Sequence, residues 1–102
     1  MKYGLRDTDI EYICALFMTE PAVEQVWLYG SRAKGTNRPG SDIDLALVGP
    51  AITQKMKGYF HDILDEESPI PYFFDLVHWN TISNEKFKAE IQRTAQLLYQ
   101  RP

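Results

Sequence analysis

The chain of 102 residues is short of cysteine, of histidine, of positive charge and of long apolar runs. Cys14 stands alone, so no internal disulfide can form. His61 and His78 show no spacing that suggests a shared metal and read as structural or surface groups. No stretch approaches the roughly 20 apolar residues a membrane helix needs, and no secretory apolar segment follows Met1-Lys2-Tyr3-Gly4. A soluble, cytoplasmic protein is expected. Lys and Arg number 11 against 14 Asp and Glu, for a net charge of -3, which disfavours stable DNA binding through a basic face. Both the Gly-x-x-x-x-Gly-Lys-Ser/Thr phosphate loop and the Gly-x-Gly-x-x-Gly turn are missing.

What is present fits one globular unit. The chain is 44% hydrophobic and 25% charged, and 102 residues can bury roughly two thirds of the unfolded surface, so residues 1–102 read as a single domain. Asp7 or Thr8 can cap a helix with Ile10, Ile13, Cys14 and Phe17 on one face. Residues 26–29 read as a buried strand, with Arg32-Ala33-Lys34 as a possible helical turn after it. A strand from Asp42 alternates Asp42, Asp44 and Ala46 against Ile43, Leu45 and Leu47. Ile52, Met56, Phe60, Ile63 and Leu64 mark a second helix, on which Asp62, Asp65, Glu66 and Glu67 look like a solvated face. Residues 72–79 read as a strand with one acid, Asp75, inside an apolar run. Ser83 or Asn84 can cap a last helix with Phe87, Ile91, Ala95 and Leu98 on one face, continuing nearly to residue 100. This order gives an α/β (α+β) fold, a small mixed sheet with helices mainly on one face and the site on the other.

The chemistry concentrates in Gly30-Ser31-Arg32-Ala33-Lys34-Gly35 and Ser41-Asp42-Ile43-Asp44. Asp42 and Asp44 share a strand face with Cα atoms roughly 6.6 Å apart. Two carboxylates about 5 Å apart repel by roughly 3 kcal/mol at an effective dielectric of about 20, a cost that a bound cation reverses. Asp75, on another strand, completes a carboxylate set suited to two-metal phosphoryl or nucleotidyl transfer, with magnesium the ion for an all-oxygen shell. Gly30 and Gly35 let backbone approach an anion, so Ser31 and the N–H groups after it can hold nucleoside triphosphate, with Arg32 and Lys34 as charge partners. Arg38 reads as a solvated surface group.

These residues resemble the nucleotidyltransferase superfamily shaped like DNA polymerase β, whose signature is Gly-Ser, a spacer of about ten residues, then Asp-x-Asp. The match runs from Gly30-Ser31 through Ala33, Gly35 and Ser41 to Asp42-Ile43-Asp44, with Asp75 as the later acid. In length the chain is similar to the minimal nucleotidyltransferases, antitoxin halves of pairs with a HEPN-domain protein. The resemblance implies that fold, two magnesium ions, ATP as cosubstrate, and transfer of AMP to a tyrosine of a HEPN ribonuclease toxin. It also implies a hetero-oligomer in which the partner supplies the acceptor surface. Two other readings stay open: an antitoxin that neutralises by occlusion without catalysis, and transfer to a small molecule or RNA presented by a partner.

Overall fold

Short apolar strands with alternating patterns need a shared sheet to satisfy their backbone groups, and here four of them find one. The computed structural model describes residues 1–102. Strand β1 (Gln25–Tyr29) runs directly into the short helix α2 (Gly30–Lys34), after α1 (Asp7–Met18) has opened the fold. Strand β2 (Ile43–Val48) lies antiparallel to β1, with Tyr29 opposite Asp44 and Trp27 opposite Ala46. Helix α3 (Gln54–Asp62) widens into a π-helical stretch, Ile63–Glu67, before β3 (Phe74–His78). β3 pairs parallel to β2, with Asp44 opposite Asp75. A 3-10 turn, Trp79–Thr81, leads to α4 (Glu85–Thr94) and β4 (Gln96–Gln100). The sheet order is β3-β2-β1-β4.

The helix starts follow local chemistry. Thr53 caps α3 by accepting the Met56 N–H at 3.1 Å, and Asn84 caps α4 by accepting the Phe87 N–H at 3.1 Å. At α1 the expected caps, Asp7 and Thr8, lie inside the helix, and Arg6 occupies the cap position. Asp9 reaches back instead. Its Oδ2 accepts the Arg6 N–H at 3.0 Å and its Oδ1 pairs with the Arg6 guanidinium at 2.8 Å. Those bonds hold the buried Asp9 carboxyl below its usual range.

One sheet face carries the main core, where Ile13 and Phe17 of α1 and Phe60 of α3 meet Val26, Leu28, Ile43, Leu45 and Leu47. Phe17 and Phe60 pack with ring centroids 4.9 Å apart. The opposite face has a smaller cluster, in which Ile91 of α4 covers Tyr29 and Ala46. Helices therefore lie mainly on one face, and α4 closes part of the other. No helix is long and apolar enough to cross a membrane.

The final segment corrects the sequence expectation. Phe87 and Ile91 do turn toward the sheet, but α4 ends at Thr94 and Ala95 is extended, with ψ 142°. The apolar period continues through Leu98 by coincidence with a strand pattern. The backbone from Gln96 onward gains more by pairing with β1, whose N–H and C=O groups on that side would otherwise lack partners. This pairing buries Tyr99 in the main core and lets the Cys14 thiol donate to the Leu98 carbonyl at 3.3 Å. Tyr99→Ala should destabilise the fold by about 3 kcal/mol, measured by urea unfolding. A loss well under about 1 kcal/mol would place Tyr99 outside the core.

Candidate active site

The site begins where β1 becomes α2. Gly30 has φ 76°, and a Cβ there would overlap a carboxylate oxygen of Asp44. Backbone conformation and space thus both require glycine, and the requirement brings the Gly30-Ser31 turn against the acid. Ser31 lies in the first turn of α2, whose leading N–H groups have no partner inside the helix. Its main-chain carbonyl accepts the Thr36 N–H at 2.9 Å, and Gly35 ends the helix in the left-handed conformation.

Strand pairing then places the acids. Asp44 and Asp75 occupy matched positions on neighbouring strands, so their side chains leave the same face about 4.8 Å apart at the backbone. Asp42 precedes Asp44 by two residues and is exposed, as is Asp75, while Asp44 is half-buried. Burial pushes the Asp44 carboxyl up to about 6, with the charges of Asp75 and Asp42 adding to the shift and Arg32 opposing it. The neighbouring Tyr29 hydroxyl is raised for the same reasons, burial first and then Asp75 and Asp44.

No set of three or more His, Cys, Asp or Glu side chains is drawn together as a finished metal site. The donor set still fits a hard divalent cation. Its members are carboxylate oxygens, their mutual repulsion is what a cation relieves, and an ion held by two of them takes further oxygens from phosphate and water.

Two expected phosphate contacts are elsewhere. The Arg32 side chain is 2% exposed and turned into the protein. Its guanidinium donates to the carbonyls of Ser41 at 2.6 Å, Asp42 at 3.3 Å, Tyr3 at 2.9 Å and Gly4 at 3.3 Å, and it stacks on Tyr72 at 4.4 Å. Buried and bonded to four main-chain carbonyls, this guanidinium is turned away from a nucleotide. Arg32 instead fixes the main chain that carries Asp42. Lys34 is exposed, and its Nζ pairs with Glu90 of α4 at 3.5 Å.

Sequence reading missed one positioning group, Asp65, and did not show that the structural role expected of His61 is shared with it. Asp65, expected on a solvated face, accepts the Phe74 N–H at 2.8 Å, and His61 Nε2 lies 2.9 Å from the Phe74 carbonyl and 3.1 Å from Asp65. Together they clamp the outer edge of β3 one residue before Asp75. Their i, i+4 spacing was the available signal. His78 is structural as expected, with Nε2 2.7 Å from the Gly49 carbonyl.

Residues 11–102 match the family Polymerase beta, Nucleotidyltransferase, and the chain belongs to that family. Among curated proteins it is 37% identical over 71 residues to the probable protein adenylyltransferase MntA of Haemophilus influenzae, covering 67% of this chain and 59% of that protein. The chain thus spans under two thirds of that relative's length. The fold matches the crystal structure of a toxin–antitoxin with AMP-PNP, with a TM-score of 0.73 at 20% identity over 94% of this chain and 74% of that one. It matches the toxin–antitoxin MntA-HepT with a TM-score of 0.71 at 16% identity over 93% and 73%. A putative nucleotidyltransferase from Sulfolobus solfataricus gives 0.51 at 20% identity over 91% and 76%.

Two predictions test this geometry. Arg32→Lys should cost about 3 kcal/mol in urea unfolding, because one ammonium cannot serve four carbonyls buried around a planar guanidinium. A change within about 0.5 kcal/mol would mean that those bonds contribute little. At Asp44 the folded-state pKa lies above the ordinary 3.8, so ionisation disfavours the folded state. This penalty is absent below pH 3.8 and complete above about pH 6. Asp44→Asn should therefore stabilise the protein by on the order of 1 kcal/mol at pH 7, after allowance for screening, and by nothing at pH 3.5. Thermal unfolding of both proteins across that range decides it, and parallel profiles would remove the repulsion.

Proposed function

We propose that this chain is a magnesium-dependent nucleotidyltransferase that moves AMP from ATP onto a tyrosine hydroxyl of a HEPN-domain toxin, and so acts as its antitoxin. The single observation that carries the catalytic part is the register of Asp44 with Asp75 beside the Gly30-Ser31 turn. Support for the acceptor and the pairing comes from the relative named as a protein adenylyltransferase and from the fold shared with toxin–antitoxin structures.

In this reading Ser31 and the leading N–H groups of α2 hold the terminal phosphates, and Gly30 lets them approach without obstruction. Asp42, Asp44 and Asp75 would hold the divalent cation that offsets the charge of the α-phosphate. Magnesium, two ions in this reading, supplies positive charge that steadies the attacking and leaving oxygens. Asp75 accepts the proton of the acceptor hydroxyl, directly or through water. The hydroxyl oxygen bonds to the α-phosphorus, the α–β phosphoanhydride bond breaks, and pyrophosphate leaves.

The test is transfer of label from α-phosphate-labelled ATP with magnesium to the protein that copurifies with this chain. Wild type should label that protein on tyrosine, and Asp42→Asn/Asp44→Asn should reduce labelling by at least about a thousandfold while the complex persists. Label on RNA or a small molecule would replace the acceptor. A double variant that still neutralises the partner would replace catalysis with occlusion.

A further inference from the structure

Gly58 is a residue that the fold itself does not need. It sits in the middle of α3, its φ is not positive, and a Cβ there would meet no atom of the chain within 4 Å. A glycine in a helix interior costs about 1 kcal/mol relative to alanine, so the chain forgoes stability at this position. Gly58 also lines an open groove of about 320 Å³ with Lys57, His61, Asp62, Asp75 and Leu76. That groove follows the outer edge of β3, which has no strand beyond it, and ends on Asp75.

The surroundings give the groove a direction. α2 packs on β1 and β2, so the Ser31 turn approaches the acids from the β1 side. The groove approaches from the β3 side. Asp44 is half-buried between these approaches, whereas Asp75 is exposed and lines the groove. The groove wall is fixed, since His61 and Asp65 hold both outward main-chain groups of Phe74. Its lining is almost entirely polar, with a lysine, a histidine and two acids. Such a lining suits a hydrated, polar chain segment better than an apolar anchor.

We propose that the groove between α3 and β3 receives a polar, hydroxyl-bearing segment of the acceptor protein, and that position 58 lacks a side chain to leave room for it. Nucleotide and acceptor then reach the Asp44–Asp75 pair from different sides, which leaves room for the attacking and leaving oxygens to lie on opposite sides of phosphorus, as in-line displacement requires. This inference rests on the reading of the chain as a protein nucleotidyltransferase and adds the side from which the acceptor enters.

The experiment uses the complex with the copurifying protein. Gly58→Trp fills the groove, and Lys57→Glu reverses a charge in it. Each should slow label transfer from α-phosphate-labelled ATP by at least about tenfold, while ATP binding by equilibrium dialysis with magnesium stays at the wild-type value. Gly58→Ala should raise the melting temperature, in keeping with a glycine the fold does not require. If Gly58→Trp fails to fold by circular dichroism, Lys57→Glu decides alone. Folded variants that modify the acceptor at the wild-type rate overturn the groove while leaving the transferase reading in place. Wild type that transfers no label to any protein overturns that reading, and the groove proposal with it.

Discussion

Negative charge held partly away from water is the constraint around which this small domain is arranged. Asp44 is half-buried, faces Asp75 across a strand pair, and follows Asp42 on the same strand face. Each of those placements raises the cost of its ionised form. The chain places a glycine where any side chain would collide with that carboxylate, so the turn leading out of β1 stays in contact with it. Strain of this kind is useful where charge is to be neutralised by an incoming ligand, because binding then releases repulsion as well as making new contacts.

The rest of the fold supplies rigidity around that point. Apolar residues of α1, α3 and all four strands fill one face of the sheet, and α4 covers only the far part of the other. The acids lie where coverage stops. Polar clamps fix the elements that carry them: His61 and Asp65 secure the edge strand before Asp75, and His78 ties the end of β3 to Gly49. These bonds satisfy main-chain groups at a sheet edge and at a loop, where no strand partner is available.

Much of this was legible in the residues themselves. Alternation from Ile43 to Leu47 separates core from site face, and the lone acid of an apolar run at residues 72–79 marks the facing strand. Register was not legible, since nothing in either strand's own pattern states that Asp44 meets Asp75. The C-terminal strand was misread because Leu98 satisfies helical and strand periods alike, and only the unpaired side of β1 decides between them. Arg32 was misread for a different reason. An arginine beside a phosphate-binding turn looks like an anion ligand, and its inward course depends on carbonyls from residues 3, 4, 41 and 42 that sequence spacing does not bring together.

The Arg32 clamp also bears on how the site comes into being. Its guanidinium joins a segment 28 and 29 residues earlier to one 9 and 10 residues later. Bonds that span such distances close only when the intervening strand and helix are in place, so they belong to the late, cooperative part of folding. A partly folded chain would leave a buried cation without its acceptors and the Asp42 loop without an anchor. Assembly of the acids is therefore coupled to completion of the whole domain, and half-formed molecules hold no half-formed site.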